Sequence, residues 1–487
     1  MMVVPVILSG GTGSRLWPIS RKKQPKPFIT LPDGHCLLQH TYQRALTLMP
    51  TEVITVTNQE YYHATQACFE KAAANVDHTL ILEPSARNSA AAISLAAHYL
   101  QEKYGDDTIL LVMPADHYVS DSDAFLTAIE AATTLALAGQ LVTFGVTPTE
   151  AHTGYGYLKA NGTHVEQFIE KPDLQTAQLL VAESNYFWNT GIFCMQAHSI
   201  LQALEQHAPH IASQTKIGIR NATHRAQPSH QCLLIAAQDF APLPDISIDY
   251  AVFEKSDRVS VVPFGAQWSD LGTWTRLAEQ YPSDENNNQI IGDTLCKDTS
   301  DCIIHNNHNN ERLVATLGIE HLIIADTPDA LLVAHKDRAE DVKHLVQTLA
   351  DQEHECHNTF HTVQRPWGSY TVLHNHPGYK VKKITVHPGC QLSLQSHIHR
   401  SEHWVVVEGT AWVTHNKKHF ALNTNESSYI PAGDIHRLEN KTASDLIIIE
   451  VQCGNYLGED DIIRYDDIYG RADDDKKIQR GTLNIDS

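Results

Sequence analysis

No stretch of this 487-residue chain approaches the roughly 18 consecutive apolar residues that a membrane-spanning helix requires, so no such helix is expected. The first apolar run, Val3 to Ser9 with Pro5 inside it, is short and has no basic segment ahead of it, which argues against a secretory signal. Cys-x-x-Cys pairs are missing and the nine cysteines are an odd number scattered along the chain. Neither a disulfide framework nor a thiolate zinc site is expected, and the cysteines read as reduced, mostly buried thiols of a cytoplasmic protein. Positive charge is scarce: 36 Lys and Arg against 57 Asp and Glu leave a net charge of −21. Nucleic acid and anionic membranes are thereby disfavoured as partners, and phosphorylated small molecules would have to be met by local basic clusters. Homo-oligomerisation stays open.

What is present begins with a glycine-rich turn. Val3, Val4, Val6, Ile7 and Leu8 suit a buried strand, and Gly10, Gly11 and Gly13 follow it at once, with Arg15, Trp17 and Lys26 close behind. Without a Cβ, such a backbone can approach a polyphosphate and offer it main-chain N–H groups, while Arg15 and Lys26 supply charge. The turn is neither a Walker A sequence, which needs Gly-Lys-Ser/Thr, nor the dinucleotide Gly-x-Gly-x-x-Gly, because Leu16 stands where the last glycine would be.

The length suggests two or three domains. Over residues 1–285, strand-like segments (52–57, 108–113, 140–146, 258–264) alternate with helical patterns, including an Ala- and Leu-rich helix from Ala90 to Leu100 that Asn88 or Ser89 could cap. This is the pattern of an α/β domain with a doubly wound, Rossmann-like sheet. Residues 286–350 turn polar and then β-rich, closing on a helical pattern from Arg338 to Leu349, and read as a small β-rich linker. Residues 351–487 become almost purely β, with turns at the spacing of a small barrel or sandwich.

The run Gly10-Gly11-Thr12-Gly13-Ser14-Arg15-Leu16-Trp17-Pro18, followed by Pro25-Lys26-Pro27-Phe28, resembles the signature of sugar-1-phosphate nucleotidylyltransferases, and within them the mannose-1-phosphate guanylyltransferases. Further segments match: Glu83-Pro84 with Arg87-Asn88-Ser89, Gly154-Tyr155-Gly156-Tyr157, Phe168 to Pro172, Trp188 to Gly191, Ser247 to Ala251 and Trp268 to Trp274. The resemblance implies that Asp116, at the carboxyl end of a strand, and Asp270 bind Mg2+. It implies that Glu83, Arg87 and Asn88 serve the nucleotide, that Glu170 and Asn189 bind sugar hydroxyls, that Lys171 binds the sugar phosphate, and that Gly154 allows close approach of the hexose. The reaction implied is in-line attack of mannose-1-phosphate on the α-phosphorus of GTP. Two departures stand out: Pro27 replaces the usual Gln, and Ser89-Ala90-Ala91-Ala92 replaces Thr-Ala-Pro-Ala.

The densest group of ligand-type residues runs from Gly389 to Trp404, followed by Glu408-Gly409, with a second group from Pro431 to Asn440. Residues two apart on a strand share a face, so Gln395 and His397 can point together into a barrel. The two groups resemble cupin motifs, in a register that makes Gln395, His397, Glu402 and His436 a ligand set for Zn2+ or another first-row divalent ion. His399 is expected on the same strand face as a substrate or outer contact, and Arg400 or Arg464 as phosphate anchor. This region, including Val451 to Arg464 and Asp466 to Arg471, resembles the type II mannose-6-phosphate isomerase domain. The whole chain thus resembles the bifunctional isomerase/guanylyltransferase family, acting on GTP, mannose-1-phosphate and mannose-6-phosphate. Two alternatives stay open: a guanylyltransferase with a structural or oligomerising cupin tail, and a nucleotidylyltransferase for another hexose-1-phosphate.

Overall fold

The computed structural model describes residues 2–11, 13–72, 76–226, 230–307, 312–358, 360 and 362–466. Thr12 of the glycine-rich turn and residues 467–471 of the last matching segment lie outside them. The chain divides into two compact units, Met1–Asn358 and Thr359–Ser487.

The first unit is built on an eleven-stranded mixed sheet. Gln231–Leu234, Asp77–Glu83, Glu52–Asn58, Val3–Ser9 and Ile109–Pro114 lie side by side in that order, all parallel. Tyr186–Gln196 then runs antiparallel, between Ile109–Pro114 and Leu141–Val146, and Val259–Pro263 follows in parallel. Alternation within buried strands sends residues to both faces. Val4, Val6, Leu110 and Val112 pack with the helix Asn88–Tyr104, whereas Ile7, Leu111 and Met113 pack with Tyr42, Phe125 and Ile129. The alanines of that helix let it sit buried all round from Ala90 to Leu100. Neither expected cap closes its start: Asn88 Oδ1 accepts from Ser89 N at 2.9 Å, and Ser89 Oγ accepts from Ile248 N at 2.9 Å. Asn88 thus bonds within its own turn, and Ser89 ties down the segment at Ile248.

The linker segment forms a coil of stacked strands. Gln289–Ile291, Ile303–Asn306 and Leu322–Thr327 pair in parallel, as do Thr294–Ser300 and Val314–Glu320. The helical pattern expected from Arg338 is a 3-10 stretch, Lys336–Asp341, and the α-helix proper runs Val342–Asp351. Residues beyond it still belong to the first unit, with Trp17 Nε1 donating to the Cys356 carbonyl at 3.0 Å. One core joins Leu16, Trp17 and Leu37 to Trp274, Ile303, Ile323 and Val342.

The second unit packs a six-stranded sheet against a five-stranded one. Ile384, Trp404, Val406 and Ile448 from the first meet Ala411, Val413 and Leu438 from the second. The nine cysteines are all free thiols; four are buried, four half-buried and Cys453 exposed. Among the described residues no helix is long and apolar enough to cross a membrane.

Candidate active sites

The carboxyl ends of the parallel strands converge on the glycine-rich turn, as expected where an open α/β sheet binds ligands. A Cβ on Gly10 would meet nothing within 4 Å, and one on Gly11 would come no nearer than 3.9 Å to Asp116 Oδ2, so this backbone is open to an approaching group. Gly13 adopts φ +65° and its side is filled by Lys26. Lys26 is buried; its Nζ donates to Asp116 Oδ2 at 2.9 Å and to the main-chain oxygen of Asp270. Asp270 Oδ1 accepts from Tyr155 Oη at 2.7 Å and from Gly272 N at 3.1 Å. Burial would raise both aspartates, but Lys26 and His117 beside them override it and hold both below the usual carboxylate range. Two ionised carboxylates facing open backbone are the hard oxygen donors that Mg2+ takes. Arg15 is paired with Glu340, 2.8 Å away, so neither expected phosphate-binding cation stands idle.

Glu83 closes the strand Asp77–Glu83, buried at 5% exposure. Its Oε1 is buried without a hydrogen bond among the described residues, and burial pushes the carboxyl up to about 8. Arg87 Nη2 donates weakly to the Ala241 carbonyl at 3.4 Å.

Beside Asp270 opens a cleft of about 440 Å³ whose walls include Asn88, Gly154, Tyr155, Gly156, Glu170, Lys171, Asn189, Asp249 and Trp268. A Cβ on Gly156 would lie 2.6 Å from Glu170 Oε2, so this glycine makes room for that carboxylate. Glu170 Oε1 is 2.8 Å from Lys171 Nζ. Asn189 Oδ1 accepts from Thr143 Oγ1 at 2.7 Å and Gly191 N at 3.3 Å, and its Nδ2 donates to Asp249 Oδ1 at 2.9 Å. Asn88, Lys171 and Leu271 all carry positive φ (62°, 47° and 44°), and such strained non-glycine backbone gathers at functional sites.

In the second unit His397, Glu402 and His436 are each 2% exposed or less and offer one ligand atom apiece, all within 4.8 Å of one another. Glu402 Oε1 is 3.0 Å from His397 Nε2, and Oε2 is 3.5 Å from His436 Nε2. His436 Nδ1–H donates to the Asp434 carbonyl at 2.9 Å, which turns the lone pair of Nε2 toward the cluster. That Nε2 and both ring nitrogens of His397 are buried without a well-formed hydrogen bond. Burial pushes His436 down, toward the neutral imidazole that binds metal, while His397, His436 and Arg400 override the burial of Glu402 and hold it well below its ordinary value. The donor set fits a divalent first-row ion. Gln395 lies opposite His436 in the ladder and is buried, its Oε1 accepting from Ser393 Oγ at 2.8 Å.

His399 departs from expectation. The strand ends at His397, so His399 sits in an exposed turn instead of on the ligand face, its N–H held by Asp461. Arg400 is the buried neighbour; its Nε lies 3.2 Å from Glu402 Oε1 and its Nη1 donates to the Gly458 carbonyl at 2.8 Å. Arg464 is half-buried on Ile462–Asp466, opposite Gln395. Around the cluster stand residues that sequence reasoning missed. Trp404 Nε1 donates to Glu402 Oε2 and to Glu450 Oε1, both at 3.2 Å, Gln452 Nε2 donates to Glu450 Oε2 at 2.8 Å, and buried Lys382 pairs with Glu459. Glu450 and Gln452 occupy the buried phase of Leu446–Gly454, where alternation calls for apolar residues, and that is the signal that could have found them. A second group, half-buried His321 with exposed His335 and Asp337, is salt-bridged through Asp301 and Lys336.

The family model for nucleotidyl transferases matches residues 4–287, that of a mannose-phosphate isomerase/GMP-like β-helix domain matches 292–349, and that of the mannose-6-phosphate isomerase C-terminal region matches 351–467. The chain is 42% identical to the alginate biosynthesis protein AlgA of Pseudomonas putida, over 99% of this chain and 98% of that protein. It is 40% identical to the xanthan biosynthesis protein XanB of Xanthomonas campestris (96% and 99% covered) and to a mannose-1-phosphate guanylyltransferase of Salmonella muenchen (95% and 98%). Among solved structures, a mannose-1-phosphate geranyltransferase from Thermus thermophilus, so described, aligns with TM-score 0.62 at 31% identity, covering 72% of this chain and all of that one. A mannose-6-phosphate isomerase from Helicobacter pylori aligns with TM-score 0.50 at 28% identity, covering 55% of this chain and all of that one.

Proposed function

We infer the activities of this chain from one premise: it belongs to the bifunctional mannose-6-phosphate isomerase/mannose-1-phosphate guanylyltransferase family. It transfers GMP from GTP to mannose-1-phosphate, releasing pyrophosphate and GDP-mannose, and it interconverts mannose-6-phosphate and fructose-6-phosphate. The two reactions are not consecutive, since a phosphomutase must move the phosphate from O6 to O1 between them. The product serves polysaccharide synthesis, and the cytoplasm, where nucleoside triphosphates are made, is the compartment that suits it.

The observation that carries the transferase reading is the position of Asp116 and Asp270, between the open glycine backbone and the cleft that holds Glu170 and Asn189. Triphosphate and sugar phosphate repel one another, so the reaction needs them held in line and their charge neutralised. Mg2+, when bound by Asp116 and Asp270, supplies part of that neutralisation. Lys26 and Arg15 exchange their carboxylate partners for phosphate oxygens of the leaving pyrophosphate. Lys171 meets the phosphate of the sugar, and Glu170 and Asn189 orient its hydroxyls. Glu83 supports guanine: a buried carboxylate whose Oε1 has no hydrogen bond among the described residues can, once ionised, accept from both N1–H and the exocyclic amine of that base, donors that adenine does not offer as a pair.

For the isomerase, His397, Glu402 and His436, joined by Gln395, would hold a divalent first-row ion such as Zn2+, which supplies Lewis acidity toward the carbonyl and hydroxyl oxygens exchanged at C1 and C2. Arg400 fixes Glu402, and with Arg464 it offers positive charge to the substrate phosphate.

The test is a paired assay on the full chain, stripped with chelator and resupplied with metal. Fructose-6-phosphate should form from mannose-6-phosphate in the wild type and in Asp116→Asn but not in His397→Ala. Pyrophosphate should be released from GTP and mannose-1-phosphate in the wild type and in His397→Ala but not in Asp116→Asn. Isomerase activity absent under every divalent ion would leave a guanylyltransferase with a structural tail. Transfer retained in Asp116→Asn would remove that residue from the metal site.

A further inference from the structure

We propose that Asp249 is a sugar-recognising residue of the transferase cleft, its carboxylate accepting a hydrogen bond directly from one hexose hydroxyl while it sets the amide of Asn189 to donate to the sugar. The proposal rests on the reading of this cleft as the hexose-1-phosphate site.

The residue lies in the Ser247–Ala251 segment, for which the family resemblance names no role. Its backbone is anchored on both sides. Ile248 N–H is tied to Ser89 Oγ, and Asp249 opens a π-helical turn, Asp249–Phe253, whose Ala251, Val252 and Phe253 are buried in the core. Phe253 packs on Phe193 with ring centroids 4.5 Å apart. Isolated π-turns are uncommon and recur at functional sites. Here the turn brings a carboxylate from a segment otherwise committed to packing to the wall of the cleft.

Hydrogen-bond accounting then constrains the site. Asn189 Oδ1 is occupied by Thr143 and Gly191, which fixes the amide flip and leaves Asn189 able to offer the sugar only an N–H. A hexose hydroxyl is donor and acceptor at once, so the cleft must also supply acceptors. Glu170 has one oxygen on Lys171 and the other above Gly156. Asp249 is the acceptor that stands beside the Asn189 amide; apart from its own N–H, Asn189 Nδ2 is the donor to this carboxylate among the described residues. Asn189 and Asp249 side by side form a donor–acceptor pair that matches a hydroxyl.

Carboxylates gathered in one cleft are costly, and this one is lined by Glu170, Asp245, Asp249 and Asp270. Burial, and then the charge of Glu170, push Asp249 up to about 6, with Lys171 opposing. A residue needed only to hold Asn189 could be a neutral amide, which would accept the same hydrogen bond without that repulsion. Hydroxyl donors of a bound sugar offset the cost, and a structural role does not.

The experiment measures kcat and KM for mannose-1-phosphate and its 2-, 3-, 4- and 6-deoxy analogues with wild type, Asp249→Asn and Asp249→Ser. Loss of one charge-assisted hydrogen bond should raise KM for mannose-1-phosphate by roughly ten- to a hundredfold in Asp249→Asn, with KM for GTP unchanged. The variant should stop discriminating against one deoxy analogue while keeping wild-type discrimination against the others. Asp249→Asn can still accept from Asn189 Nδ2, so wild-type KM and discrimination in this variant would overturn the proposal and leave Asp249 a support for Asn189. An evenly reduced kcat with every analogue, discrimination intact, would overturn it too. A wild type that turns over no hexose-1-phosphate would instead refute the reading of the cleft, an outcome that needs no variant. Unaltered isomerase activity and GTP KM certify that each variant is folded.

Discussion

A Cβ placed on Gly13 would stand 2.5 Å from the Cβ of Lys26, so these two residues keep their positions only as a pair. The lysine in turn joins the Asp116 carboxylate to the main chain of Asp270, so the shape of one glycine bears on how the two aspartates are placed.

Gly13→Ala should therefore do more than strain the turn. An alanine at φ +65° costs about 1–2 kcal/mol, and the clash falls on a Cβ that cannot rotate away. Displacement of Lys26 by as little as about 1 Å should lower GMP transfer on the order of 100-fold, while fructose-6-phosphate formation stays at the wild-type rate. Assaying both activities in one preparation checks this, and a parallel loss of both would mean that the variant acts by general unfolding.

Glu83 predicts a pH dependence with a definite sign. In the free protein the carboxyl is pushed up to about 8 by burial, so below that pH it is mostly protonated and must ionise before it can accept from guanine. The kcat/KM for GTP should rise with pH and level off above about 8. Glu83→Gln should flatten that limb and should narrow the preference for GTP over inosine triphosphate, which lacks the exocyclic amine. A rising limb that survives in the variant would assign the titration to another group.

The cupin cluster predicts how the second unit responds to metal. Both ring nitrogens of His397 and Nε2 of His436 are buried without well-formed hydrogen bonds, so an ion bound there should stabilise the folded state in proportion to its occupancy. Zn2+ at about 100 times its dissociation constant should add about 2.7 kcal/mol to the unfolding of that unit. His436→Ala should abolish the increment. Calorimetry of stripped protein with and without Zn2+ measures it, and an equal shift in the variant would place the ion elsewhere.

Much of the candidate transferase site was legible because its residues stand where strands end. Asp116 follows Ile109–Pro114, the glycines follow Val3–Ser9, and Glu83 closes its own strand. A periodic apolar run announces its own end, which is where open α/β sheets place the residues that face a ligand. His399 was misplaced because two-residue periodicity holds only while the strand lasts, and it stops at His397. Asn88 and Ser89 looked like helix caps, which is the local use of such residues. Their side chains instead serve their own turn and a segment some 160 positions away, at Ile248, which no local pattern encodes. Of the groups around Glu402, Arg400 and Trp404 stand two residues away on its own strand, whereas Glu450 and Gln452 come from the neighbouring strand of the same sheet, a pairing that no local pattern encodes.

The apolar layer shared by Leu16, Trp17, Trp274, Ile303, Ile323 and Val342 bears on how the protein can be divided. The segment 4–287 that matches nucleotidyl transferases shares the apolar layer next to its glycine-rich turn with the stacked strands that follow it. A truncation at the family boundary would strip the strands' side of that layer and expose Leu16, whereas a cut between Asn358 and Thr359 leaves it whole. The coil of strands thus packs as part of the first unit, beneath the glycine-rich turn, and the division of the chain into units falls after it.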